Sequence, residues 1–239
     1  MTAELLVVGL GRMPYGEALA LQRALAERRI AGDADRDLLL LVEHPPVITL
    51  GRGSHAKHLP TPREFLDARG IEVFDIERGG DVTYHGPGQL VAYPIFDLSA
   101  HRQDLHWFLR QLEAALMHAL DAFGIRAERN PGLTGVWTGN RKIASIGIHV
   151  KRWVTWHGVA LNVTTDLSYF DLIVPCGIPD VTMTSIQREL GERAPRDLWN
   201  QAVERTVLGF AETFSLRPQF AGLEALGVST DAGTDGGHG

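Results

Sequence analysis

A chain of 239 residues suits one large domain and can bury about three quarters of its unfolded surface. Hydrophobic residues make up 44% and charged residues 22%, a globular mix that excludes a disordered chain. The 23 basic and 29 acidic residues leave a net charge of −6, which argues against nucleic acid as the main partner.

In chain order, Gly16 to Ile30 reads as a helix, with Leu21 and Leu25 one turn apart and Gly32 near its end. Asp37 to Glu43 holds the run Leu38-Leu39-Leu40-Leu41-Val42, the pattern of a buried strand. Val47 to Leu50 predicts another strand after the Pro45-Pro46 break. Glu64 to Ala68 predicts a short helix, and Ile71 to Glu77 and Leu90 to Ile95 predict strands. Gln103 to Phe123 carries the clearest helical stripe, from Leu105 through Phe108, Leu112, Leu116 and Leu120 to Phe123, with Gly124 to cap it. Val136-Trp137, Ile143 to Lys151 and Val154 to Asn162 predict strands, the last two paired through a tight turn near Arg152. Arg196 to Phe214 predicts a final helix. Helices at both ends of a strand-rich centre predict an α+β fold with a mostly antiparallel or mixed sheet. Val228 to Gly239, rich in Gly, Ser, Thr and Asp, reads as a disordered tail beyond a single domain over residues 1–227.

Cys176, in Ile173-Val174-Pro175-Cys176-Gly177-Ile178-Pro179, is the one cysteine, so no intrachain disulfide forms and a reducing compartment is expected. No apolar run reaches bilayer length, and Met1-Thr2-Ala3-Glu4 lacks the basic start of a secretory signal, so a soluble cytoplasmic protein with no membrane partner is expected. Two stretches lack acids. His44 to Arg63 carries Arg52, Lys57 and Arg63, and Arg129 to Thr165 carries Arg129, Arg141, Lys142, Lys151 and Arg152. These +8 charges leave −14 on the remainder, a distribution that either presents a basic face to acidic partners or reflects a scarcity of acids in strands.

The thiol of Cys176, in its Pro/Gly turn, can serve as a nucleophile or pack as a small hydrophobe. Lys142 opens the strand Lys142 to Gly147, where it is either an exposed strand end or a partly buried base. The run Arg78-Gly79-Gly80-Asp81-Val82-Thr83-Tyr84-His85-Gly86-Pro87-Gly88-Gln89 reads as a loop passing close to a ligand or another strand. It lacks both the G-x-G-x-x-G spacing and a following G-K-[ST]. His55 and His58 are three apart with no further ligand set, so no metal is expected. His44 and His149 read as structural or solvent-facing, and His157 can line a site.

Four blocks carry a family resemblance: Glu43 to Arg52 (EHPPVITLGR), Arg78 to Leu90 (RGGDVTYHGPGQL), Arg141 to Gly147 (RKIASIG) and Ile173 to Ile178 (IVPCGI). Between about Leu38 and Leu190 the chain resembles the octanoyltransferases of the lipoate pathway, also called lipoyl(octanoyl) transferases. The resemblance implies the fold shared with biotin and lipoate protein ligases, a mixed β-sheet flanked by helices. It implies Cys176 as the acyl-accepting nucleophile and Lys142 as its base and thiol activator. It places acyl binding on Arg78, Gly79, Gly80, Asp81, Val82, Thr83, Tyr84 and His85, on Ser145, Ile146 and Gly147, and on Gly158, Val159 and Ala160. The implied donor is octanoyl-acyl carrier protein. The implied acceptors are lipoyl domains of 2-oxoacid dehydrogenase complexes and the glycine cleavage H protein. Neither ATP nor another cofactor is implied, because the thioester is already activated. Arg52, Lys57, Arg141, Lys151 and Arg152 become candidates for docking acidic carrier proteins. The competing readings are an ATP-dependent lipoate or biotin ligase, an acyl-binding homologue without turnover, and a plain thioesterase.

Overall fold

The computed structural model describes residues 3–175 and 181–228. Ten strands and five α-helices follow one another: β1 (Glu4–Arg12), α1 (Tyr15–Ala31), β2 (Asp37–Glu43), β3 (Val47–Leu50), α2 (Arg63–Asp67), β4 (Glu72–Asp75), β5 (Val82–His85), β6 (Gln89–Ile95), α3 (Leu105–Asp121), β7 (Val136–Thr138), β8 (Arg141–Lys151), β9 (Val154–Asn162), α4 (Ile186–Leu190), α5 (Leu198–Phe214) and β10 (Arg217–Ala221). Seven strands form one sheet in the order β10-β1-β2-β6-β9-β8-β7, and three form a second in the order β4-β3-β5. The large sheet is mixed. β1 runs parallel to β10 and β2, and the other pairings are antiparallel. This is the α+β architecture expected from the sequence.

Why β2 is uniformly apolar is clear from its two faces. Leu39 and Leu41 join a core with Leu112 and Leu116 of α3 and Phe210 of α5. Leu38, Leu40 and Val42 join another with Leu21 and Leu25 of α1. A strand covered on both sides has no polar alternation to show. The helix ends follow local rules. Asp104 caps α3 by accepting from Trp107 N–H at 2.9 Å. Gly124, at φ +69°, lets the chain turn back so that Ile125 N–H reaches Leu120 O at 3.2 Å.

The structure departs from the sequence reading in three respects. Leu105 is 42% exposed rather than on the apolar stripe, because it stands at the first helical position ahead of the buried turns. The run Arg78 to Gln89 is not all loop, since Val82–His85 is a fully buried strand paired antiparallel with β3. Strands β1 and β10, which received no assignment from the sequence, join the two ends of the chain in parallel at the sheet edge. Residues 229–239 of the expected tail lie outside the described residues. Among the described residues no helix is long and apolar enough to cross a membrane.

Candidate active site

A cavity of about 320 Å³ opens between the small sheet and the large one. Thr83 and His85 of β5 contribute one wall. Lys142 and Ser145 to Gly147 of β8, with Gly158 to Ala160 of β9, contribute the other. The loop before β5 closes the cavity with Arg78, Gly80 and Asp81. That loop is laid directly on β8, where Gly79 N–H donates to Ile148 O at 2.9 Å. Gly147 permits this approach, because a Cβ there would stand 2.9 Å from Gly79 O.

Most of the residues singled out from the sequence therefore meet at one place. Gly79 and Tyr84 are not on the cavity wall. Strand alternation turns Tyr84 into the core of the small sheet, where it stacks on Tyr169 at 4.8 Å and 9°. Sequence reasoning missed Tyr15 at the start of α1, Gly53, Val91 of β6, and the loop residues Gly132, Leu133 and Thr134. None carries a local signal, since each is brought to the cavity by long-range packing.

Arg78 is buried, and its guanidinium is fixed by carbonyls. Nη2 donates to Thr49 O at 2.8 Å and to Thr49 Oγ1 at 2.9 Å, and Nη1 donates to Gly79 O at 3.1 Å. Asp81 accepts from Val82 N–H at 2.7 Å, and its other oxygen is 2.6 Å from His58 Nδ1. Both contacts organise the loop.

Buried imidazoles lie in the wall and behind it. Gln89 Nε2 donates to Tyr84 O and Asn162 Oδ1, which leaves Gln89 Oε1 to accept from His85 Nδ1 at 2.7 Å. Burial pushes His85 down to about 3, so the ring is neutral with a lone pair on Nε2. His44 donates Nδ1–H to Met13 O at 2.8 Å and accepts from Tyr93 OH at 2.8 Å, and burial pushes it down to about 4. This bears out the structural reading of His44. His157, at φ +58° within β9, does line the cavity, and burial lowers its pKa. Its Nε2 stands 3.7 Å from Glu77. Proximity of His157, then the hydrogen bonds from Arg23 and Trp156, hold the Glu77 carboxyl well below the usual carboxylate range.

Lys142 is only 2% exposed, so it is not a solvated strand end. Its backbone N–H donates to Thr182 O at 2.8 Å, and its carbonyl accepts from Thr184 N–H at 2.9 Å. On the other flank, Val174 N–H donates to His58 O at 2.9 Å. The chain is thus tied to the segment of His58 shortly before Cys176 and to the strand of Lys142 shortly after it. Cys176 itself and Gly177 lie outside the described residues.

Comparison with known proteins identifies the family. Residues 14–208 match the family model for the lipoyl protein ligase A/B catalytic domain. An octanoyltransferase of Gloeobacter violaceus is 48% identical over 220 residues, 92% of this chain and 95% of that protein. One from Solibacter usitatus is 52% identical over 207 residues, 86% of this chain and 90% of that protein. Among solved structures, lipoate-protein ligase A bound with ATP has a similar fold, with a TM-score of 0.74 at 16% identity, covering 95% of this chain and 92% of that one. The chain belongs to the lipoyl protein ligase A/B catalytic domain family and, within it, to the octanoyltransferases, which are acyltransferases.

Proposed function

We propose that the enzyme moves an octanoyl group from octanoyl-acyl carrier protein to a lysine of a lipoyl domain through a thioester on Cys176. One observation carries this reading. Lys142, buried at the cavity wall, has its backbone paired with Thr182 and Thr184, and Thr182 is six residues from Cys176. Six residues of chain span at most about 20 Å, so the connection permits the thiol to reach the amine.

In this mechanism Lys142 Nζ takes the thiol proton of Cys176. The thiolate adds to the thioester carbonyl. The carbon–sulfur bond to the carrier breaks, and the carrier thiolate recovers the proton from Lys142. One thioester has replaced another, so no ATP is consumed. The acceptor lysine then gives a proton to Lys142 and attacks the acyl-cysteine. A carbon–nitrogen bond forms, the bond to Cys176 breaks, and Lys142 returns the proton to the thiolate. The stable amide makes the second transfer downhill. The acyl tail lies in the cavity, against β8 and β9 on one side and His85 of β5 with Arg78 on the other. Each addition passes through an oxyanion, which preorganised N–H groups stabilise. Gly79 N–H is engaged by Ile148 O, which leaves Gly80 and Gly177 as the candidate donors. The acceptors are lipoyl domains of 2-oxoacid dehydrogenase complexes and the glycine cleavage H protein.

Intact-protein mass spectrometry after brief mixing with octanoyl-carrier protein tests the route. Wild type should gain one octanoyl group and lose it when apo lipoyl domain is added. Cys176→Ser should gain none, and Lys142→Ala should be acylated about 10²-fold more slowly. Transfer that needs ATP and free octanoate, with no adduct on Cys176, would make the ligase reading correct.

A further inference from the structure

Glu113 of α3 has no solvent exposure, yet it is a carboxylate. A charge so placed is costly unless fully partnered. Its Oε2 accepts from Arg110 Nη1 at 2.6 Å and from Arg129 Nε at 2.9 Å, and its Oε1 accepts from Gly135 N–H at 3.3 Å. Arg129 Nη2 also donates to Arg110 O at 2.9 Å. The loop 129–135 is therefore tied to α3 at both its ends. Between those ends it presents Gly132, Leu133 and Thr134 to the cavity.

The same loop delivers Gly135 against Lys142. Gly135 sits at φ +138°, where side-chain-bearing residues are strained. A Cβ there would stand 2.7 Å from Lys142 Cε, 3.3 Å from Lys142 Nζ and 2.8 Å from Ala144 O. The Trp137 ring lies 5.3 Å from the same Nζ. A bare backbone, held by a buried carboxylate, thus borders the end of the Lys142 side chain.

We infer that Glu113 and Gly135 are positioning residues for Lys142: Glu113 clamps the 129–135 loop, and the bare backbone of Gly135 sets where the Lys142 amine lies. The inference rests on the proposed role of Lys142 in activating Cys176. Glu113 and Gly135 themselves fall outside all four sequence blocks.

The test is the pH dependence of Cys176 alkylation by iodoacetamide, followed by intact mass, with melting temperature recorded for each variant. Lys142→Ala should raise the midpoint. Gly135→Ala should raise it in the same direction and slow acylation by octanoyl-carrier protein at least ten-fold. Glu113→Gln, which keeps the shape and removes the charge, should do the same to a smaller extent and carries the test if Gly135→Ala does not fold. In the Lys142→Ala background neither substitution should move the midpoint further, as expected of residues acting through one group. A shifted midpoint in Lys142→Ala with wild-type midpoints in the other two variants overturns this inference alone. Equal shifts in both backgrounds overturn it as well. An unshifted Lys142→Ala overturns the role of Lys142 and the inference with it.

Discussion

His85 packs a neutral imidazole in the cavity wall and His44 packs one behind it, and both must take up a proton when the chain unfolds in mild acid. Their folded values, about 4 and about 3, lie below the ordinary 6.5. A depressed folded pKa contributes stability above the unfolded value and loses it as pH falls toward the folded one. Unfolding stability should therefore be level above pH 7 and fall between about pH 6.5 and 4. The slope should approach 1.4 kcal/mol per pH unit for each histidine. Urea unfolding at pH 7, 6 and 5 checks this, and His44→Gln should remove part of the slope. Glu77, also depressed, adds its share only at lower pH. At this scale the sequence is informative where chemistry is dense. Arg78 and His85 are legible in their glycine-rich block, whereas Tyr15 is an ordinary helix-start residue. Only packing stacks it on His85 at 6.0 Å and brings it to the cavity.

The β8–β9 hairpin shows a local rule obeyed by unusual residues. Lys151 pairs with Val154, leaving Arg152 and Trp153 as the two turn residues at φ +49° and +65°. Positive φ at both positions is the turn that matches strand twist, and Asn-Gly is its preferred sequence. Arg152→Asn combined with Trp153→Gly should therefore raise stability by about 1 kcal/mol, a melting shift of about 2–4 °C, measured by thermal unfolding with activity unchanged. This hairpin and β2 are legible because each declares itself within a dozen residues. Strand β10 does not. Arg217–Ala221 contains Pro218, a residue tolerated at a sheet edge, and its partner β1 lies at the opposite end of the chain. Strand β5 is masked differently, because glycines on both sides make a four-residue buried strand read as loop.

Across the whole molecule the basic residues divide into separate groups. Arg52 and Lys57 are exposed on the segment after β3, on either side of Gly53, which lines the cavity. Arg141 is engaged by Glu189 in a two-bond pair at 2.9 and 2.8 Å, so it is not free to dock a partner. Lys151 is nine residues along β8 from Lys142, roughly 30 Å at strand rise. If an acidic carrier protein docks at the cavity mouth, Arg52→Glu with Lys57→Glu should raise its apparent KM several-fold and flatten the salt dependence. Lys151→Glu with Arg152→Glu should leave KM within about two-fold. Steady-state kinetics at two ionic strengths separate the pairs. The sequence by itself determined the family, the mixed α+β architecture and most of the residues that meet at the cavity, because glycines, prolines and reactive side chains in fixed short spacings leave a local trace. Only the tertiary structure decided that Lys142 is buried, that Tyr84 turns away and that Glu113 holds a loop against Lys142. Burial, strand face and long-range ion pairing depend on what the fold places opposite a residue, and no window of neighbouring residues contains that information.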